Sequence, residues 1–251
     1  MASIYAMSDP HGEREAFEEA LALVDLSDPG SQLVLLGDYI DHHRRHPEML
    51  RQVMELQQAY PQQVVVLLGN HDARFLAECG HPLPGDPVLC LPGEDAEGGA
   101  LSAPADGPAA YDDGEVIRWL RSLPSVFETD DQIFVHAGID EEAEDLWRWG
   151  SEDAFFREKF PPSFGPFAKD IVAGHVGTAS LAGDPSFHGV FWDGASHFYL
   201  DGSTETSKQV PVLRYDRITR RYTSFRKVAD GVGGTGWEEY DVCAEGPRPA
   251  V

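Results

Sequence analysis

Three apolar runs constrain this chain more than any other feature. Leu33-Val34-Leu35-Leu36 ends in Gly37-Asp38, Val64-Val65-Val66-Leu67-Leu68 ends in Gly69-Asn70, and Ile133-Phe134-Val135 ends in His136-Ala137-Gly138. Such runs, without polar alternation and closed by a turn signal, read as strands buried on both faces. Gly37 lets the backbone leave its strand tightly. Asp38 then stands at the strand's carboxyl mouth, where open α/β sheets place their ligands. Ala2 to Met7, before Ser8-Asp9-Pro10-His11-Gly12, and Asp170-Ile171-Val172-Ala173, before Gly174-His175, repeat the pattern.

Between the first runs the period changes. Phe17, Ala20, Leu21 and Val24 recur at helical spacing, and Met49, Leu50, Val53, Leu56 and Tyr60 do so after Pro47, a residue suited to a first helical turn. Strand–helix–strand–helix–strand implies parallel strands joined by right-handed crossovers. Val116 to Leu123 predicts a short helix. Val190-Phe191-Trp192, His197 to Leu200, Val210 to Tyr215 and Tyr222 to Arg226 are short strand patterns, and Asp193-Gly194 and Asp201-Gly202 are turn dipeptides among them. They predict a mostly antiparallel second sheet packed on the first. Residues 1–228 are expected to form one domain. Residues 80–113, rich in Pro, Gly, Ala and acids without a period, are expected to be a flexible loop or lid. Residues 229–251, Gly-rich and acidic, are expected to be a loose tail.

Charge narrows the partners. The chain has 19 basic and 43 acidic residues, a net charge of −24. This argues against nucleic acid or an anionic membrane surface as partner. It suits cation binding, and equally solubility in high salt. No apolar run approaches the roughly 20 residues that span a bilayer. Met1-Ala2-Ser3-Ile4 does not open a signal peptide. Cys79, Cys90 and Cys243, without a CxxC, point to a reducing cytoplasm rather than a disulfide framework. Cys79, His81 and Cys90 match no tight zinc spacing, and the cysteines read as ordinary buried thiols.

The strand ends carry the chemistry. Asp9 and His11, Asp38, Asn70, His136 and His175 follow one another at successive strand ends. Each alone has a bland reading: an aspartate after a strand caps a helix or turn, an asparagine takes a left-handed turn, a histidine sits satisfied in a core. The ordered set has a chemical one, because divalent first-row ions take mixed carboxylate, amide and imidazole ligands, and a shared carboxylate can hold two ions about 3.5–4 Å apart.

These motifs resemble the metallophosphoesterases, and within them the phosphoprotein-phosphatase-like branch, which also holds bacterial protein phosphatases and symmetrical dinucleoside tetraphosphatases. The family pattern GDxHG, GDxVDRG, GNHE, HGG or HAG, and GHT appears here as Ser8-Asp9-Pro10-His11-Gly12, Gly37-Asp38-Tyr39-Ile40-Asp41-His42-His43, Gly69-Asn70-His71-Asp72, His136-Ala137-Gly138 and Gly174-His175-Val176. Trp119-Leu120-Arg121-Ser122-Leu123-Pro124 and Tyr199-Leu200-Asp201-Gly202 are similar to flanking stretches of the family. The likeness covers about Ile4 to Tyr215. It implies an α/β fold, a β-sandwich of two mixed sheets flanked by helices.

The resemblance also implies roles. Asp9, His11 and Asp38 would hold one divalent ion, and Asp38, Asn70, His136 and His175 a second. Manganese is the expected metal, with iron, zinc, cobalt and nickel fitting the same ligands. A metal-activated hydroxide would attack phosphorus, His71 would protonate the leaving group, and Asp41 would orient that imidazole. The expected activity is hydrolysis of phosphate monoesters, on phosphoprotein or small phosphate esters. A dinucleoside polyphosphate hydrolase is the alternative, and a non-catalytic binding scaffold an alternative of another class. The family's arginine after Asp41 is His42 here, so phosphate would be gripped by His42 itself, Arg74 or Arg148. Trp147, Trp149, Phe155 and Phe156 read first as core packing, and second as a rim on which a nucleobase could stack.

Overall fold

The computed structural model describes residues 2–41, 47–85, 113–229 and 235–246. Strands β1 (Ser3–Met7), β2 (Gln32–Leu35) and β3 (Val64–Val66) lie side by side and parallel, in a register that sets Ala6 against Val34 and Val34 against Val65. Helices α1 (Arg14–Leu21) and α2 (Pro47–Ala59) are the crossovers, and α3 (Asn70–Glu78) starts directly from the turn after β3. The parallel half is therefore as the apolar periodicity predicts.

The second half departs from expectation. After α4 (Gly114–Leu120), strands β4 (Val126–Glu128) and β5 (Gln132–Val135) begin a second sheet. A 3-10 turn (Glu141–Leu146), α5 (Trp147–Gly150) and α6 (Asp153–Glu158) precede β6 (Asp170–Gly177), followed by α7 (Thr178–Ala182), β7 (Phe191–Trp192) and β8 (His197–Asp201). β5, β6 and β8 are parallel, and only the edge strands β4 and β7 run antiparallel. After the single turn α8 (Thr204–Ser207), strands β9 (Leu213–Asp216) and β10 (Arg221–Ala229) return to the first sheet beside β1. The two sheets, of six and five strands, are both mixed. Short strand patterns cannot show which sheet they join. That choice is made by pairing across long sequence separations, such as Tyr5 with Arg214.

For residues 235–241 the expectation of a loose tail is corrected. β11 (Thr235–Asp241) pairs antiparallel along β10 from Ala229 to Thr223. Its acidic residues face basic ones across the hairpin, Arg226 donating to Glu238 at 2.8 Å, and Arg214 of β9 reaches Glu239 at 2.8 Å. Composition hid this because the charges that suggest a solvated tail are cross-strand partners. Of the expected loop, residues 86–112 lie outside the described residues. Its start is tied to α3, where the His81 amide donates to the Leu76 carbonyl at 2.8 Å, and its end is Asp113, the side-chain cap of α4.

Side-chain alternation along the strands divides the core. Ile4, Ala6, Val34 and Leu36 face Phe134, Val172, Phe198 and Leu200 between the sheets. Tyr5, Met7, Leu33 and Leu35 face outward onto Phe17, Leu50 and Val53 of α1 and α2. Ile133, Val135, Ile171 and Ala173 face outward onto Trp147, Phe156 and Leu181. Each such buried Val, Leu, Ile, Phe or Met side chain contributes roughly 1.5–3 kcal/mol of transfer free energy. No helix among the described residues is long and apolar enough to cross a membrane.

Candidate metal centre

The strand ends converge because their turns interlock. The amides of Asp9, His11 and Gly12 donate to the carbonyls of Gly37, Asp38 and Tyr39 at 3.2, 3.0 and 2.9 Å, and the Gly174 amide donates to the His136 carbonyl at 2.7 Å. Gly37 (φ +114°) must be glycine, since a Cβ there would come within 2.5 Å of the Gly69 backbone. Asp9, His11, Asp38 and His175 all adopt left-handed backbone, with φ of 54°, 44°, 58° and 65°. Each such conformation costs of order 1–3 kcal/mol and persists only where surrounding structure enforces it. Strain is thus gathered at one spot.

The side chains meet there. Asn70 Oδ1 lies 2.9 Å from His136 Nε2 and 3.1 Å from His175 Nδ1. Asp38 Oδ2 lies 3.4 Å from His136 Nε2 and 3.8 Å from His71 Nε2. His11 Nε2 is 3.6 Å from Asp9 Oδ1. The donor atoms of Asp9, His11 and Asp38 fall within 4.8 Å of one another, as do those of His11, Asp41 and His71. Asp9, Asp38, Asp41 and His136 are buried. Asp72, at the third position of α3, is fully buried and accepts the amides of Asp38 at 2.8 Å, Tyr39 at 3.0 Å and Gly69 at 3.0 Å. The Asp38 carboxylate in turn accepts the His71 amide at 2.9 Å, and Asp9 accepts the His175 amide at 3.1 Å.

Burial and charge oppose each other in this cluster. Burial raises the Asp38 carboxyl, but the imidazoles of His136, His71 and His11 hold it well below the usual carboxylate range. Burial and the neighbouring Asp201 push Asp9 up to about 7. His136, lowered by burial but facing Asp38, is pushed up to about 9. Burial and His136 push His175 down to about 4. Buried carboxylates that draw a proton onto the imidazole beside them are short of positive charge, which a bound cation would supply.

The donors fit divalent ions. The Leu36 carbonyl, 3.0 Å from His136 Nδ1, can only accept, so that nitrogen carries a proton in either charge state, and a bound cation would take the place of the proton on Nε2. The buried Nδ1 of His11 has no hydrogen-bond partner among the described residues. Carboxylate, amide and imidazole together suit first-row metals rather than calcium or magnesium.

The proposed phosphate contacts are placed differently. His42 lies outside the described residues. Arg74 pairs with Glu78 one turn along α3 at 3.2 Å. Arg148 pairs with Glu128 of β4 at 2.6 Å and lies over the Trp147 ring, so this contact does not join it to the cluster. Sequence reasoning passed over Arg157, which is 2% exposed and donates from Nη1 to Ser125 Oγ at 3.1 Å. It follows Phe156, whose carbonyl takes the Ala137 amide at 2.8 Å beside His136. An arginine between two phenylalanines and a helix end was the available signal. The aromatic group divides: Trp147 and Phe156 pack edge to face at 6.0 Å, whereas Trp149 is 83% exposed.

Two mixed sheets flanked by helices, with strand-end carboxylates, an amide and imidazoles gathered at one edge, define a metallohydrolase-type α/β protein. Residues 2–215 match the calcineurin-like phosphoesterase family, and the chain belongs to that family. Among its relatives, the symmetrical bis(5'-nucleosyl)-tetraphosphatase of Janthinobacterium sp. (strain Marseille) is 34% identical over 136 residues, 54% of this chain and 43% of that protein. The protein of the same name from Nitrosococcus oceani is 28% identical over 173 residues, 68% of this chain and 55% of that one. The chain spans about half the length of these relatives. In fold it is similar to a cold-active protein-tyrosine phosphatase from a psychrophilic Shewanella, with a TM-score of 0.57 and 18% identity over 96% of this chain and 80% of that one.

Proposed function

We propose that this chain hydrolyses dinucleoside polyphosphates at a divalent metal pair held by Asp9, His11, Asp38, Asn70, His136 and His175. The observation that supports it is the Asn70 amide oxygen within 2.9 and 3.1 Å of two imidazoles, in a cluster shared with Asp38. Such an arrangement presents an amide oxygen and two imidazole nitrogens that a divalent ion could take together as ligands. The substrate class rests on the relatives, whose names are those of symmetrical tetraphosphatases. Bound metal supplies Lewis acidity toward the phosphoryl oxygens and an acidified water as nucleophile.

The chain's own residues do the rest. Asp38 sits between both halves of the ligand set and fixes their spacing. Burial shifts the His71 imidazole down, toward its neutral form, so in the proton-donor role it takes up its extra proton with substrate charge beside it and passes it from Nε2 to the departing oxygen. Asp41, in the same cluster, orients that ring. Symmetrical cleavage breaks one P–O–P bond, adds one water, and releases two nucleoside diphosphates.

Manganese-loaded protein is expected to convert diadenosine tetraphosphate to ADP faster than it dephosphorylates a phosphoserine peptide. Turnover of the peptide with the dinucleotide untouched contradicts the substrate class and restores the phosphomonoesterase reading. Turnover of neither supports a binding scaffold.

A further inference from the structure

We propose that Asp72 is a positioning residue, an acceptor that locks two ligand-bearing turns into the spacing a metal pair requires. Three amide donors from two separate chain segments end on this one carboxylate: Asp38 and Tyr39 from the turn after β2, and Gly69 from the turn after β3. The lock is reciprocal. The Asp38 side chain accepts the His71 amide at 2.9 Å, so each turn holds the other through an aspartate.

Geometry explains why the lock is needed. Asp38 stands at φ 58°, a conformation that an unrestrained aspartate leaves readily. Its own amide is one of the three that Asp72 accepts, so the carboxylate fixes the rotation about the residue that carries the shared ligand. Tyr39 adds a second tie, its hydroxyl donating to the carbonyls of Leu35 at 3.1 Å and Leu67 at 2.8 Å, which joins β2 to β3 below the turns. Asp72 is fully buried, with Oδ2 accepting the Asp38 and Gly69 amides and Oδ1 the Tyr39 amide, and it belongs to neither cluster of candidate ligand atoms among the described residues. Its effect on metal is therefore through Asp38 and Asn70, in the way that outer carboxylates orient ligands elsewhere.

The inference rests on the metal-site reading, and its test separates the two. Manganese binding is measured by titration calorimetry on wild type, Asp72→Asn and Val66→Ala, without substrate. Asparagine keeps the volume but turns one acceptor into a donor facing an amide. Asp72→Asn is expected to bind manganese about 10- to 100-fold more weakly than wild type. Val66→Ala, which opens a cavity in β3 away from the turns, is expected to lower the melting temperature while binding manganese as wild type does. Unchanged affinity in Asp72→Asn overturns the inference while leaving the metal site intact. No binding by wild type overturns the metal-site reading itself. Should Asp72→Asn not fold, the titration is repeated in trimethylamine N-oxide, which favours the compact state. A variant that still does not fold makes Asp72 a stability residue and overturns the inference, as does equal loss of affinity in Val66→Ala.

Discussion

Asp38 and His136 face each other across the sheet sandwich, Oδ2 to Nε2 at 3.4 Å, with side chains 2% and 0% exposed. Each shifts the other toward its charged form, the carboxyl downward and the imidazole up to about 9. A buried pair of this kind is weak evidence for stability, because desolvation offsets most of the attraction. On the proposed reading, its placement among Asp9, Asn70 and His175 makes it a ligand pair whose mutual contact a cation would replace.

Asp38→Asn and His71→Asn should separate ligand from proton donor. Both are expected to lower turnover by at least about 100-fold, the scale of general acid–base catalysis. Only Asp38→Asn should also lose manganese, read by calorimetry. Equal metal loss in both contradicts the role given to His71.

The leaving group sharpens the same test. A nucleoside diphosphate departs as a stabilised anion, whereas an alkoxide from a phosphoserine needs a proton. His71→Asn is therefore expected to reduce phosphopeptide hydrolysis more than diadenosine tetraphosphate hydrolysis, compared as kcat/KM ratios. Equal reductions contradict proton donation by His71.

Gly69→Ala should dismantle the centre from the backbone side. A Cβ there would fall 2.1 Å from Asp38 Oδ1 and 2.3 Å from the Asp38 amide nitrogen. The expected cost is about 3 kcal/mol, at the upper end for overpacking, with manganese binding lost. Gly236→Ala, where nothing lies within 4 Å, is the control and should leave both unchanged. Chemical denaturation with a manganese titration checks the pair.

Much of this was legible in the sequence, for a physical reason. Parallel strands buried on both faces carry uninterrupted aliphatics, so Leu33 to Leu36 and Val64 to Leu68 announce themselves, and the polar residue after each must lie at the sheet's edge. The partner sheets of β9 and β10 were not legible, because a short run such as Val212-Leu213 has no local mark of its neighbour. Asp72 reads as an ordinary first-turn helix acid. Only the fold brings the amides of Asp38 and Tyr39 to it across more than thirty residues of chain.

A second ionic network gives a pH prediction away from the centre. Glu141 accepts Lys159 Nζ and Ser163 Oγ at 2.8 Å each and lies 3.3 Å from His197 Nε2. Burial raises its carboxyl, but His197, Lys159 and Ser163 bring it from 4.5 down to about 2. The folded state thus holds Glu141 ionised more firmly than the unfolded chain does. That stability is complete above about pH 4.5 and is lost as pH falls toward 2. Glu141→Gln should be less stable than wild type at pH 6, and the gap should narrow between pH 4.5 and 2, followed by calorimetric melting. A gap independent of pH contradicts the assignment.

The central claim is that Asp38 joins two metal ions to the imidazoles around it. Anomalous scattering from crystals grown with manganese tests it most directly. The account predicts two peaks about 3.5–4 Å apart with the Asp38 carboxylate between them, one beside Asp9 and His11 and the other beside Asn70, His136 and His175. A map with no peak at Asp38 under saturating manganese, or with manganese bound only at residues outside this set, would contradict it.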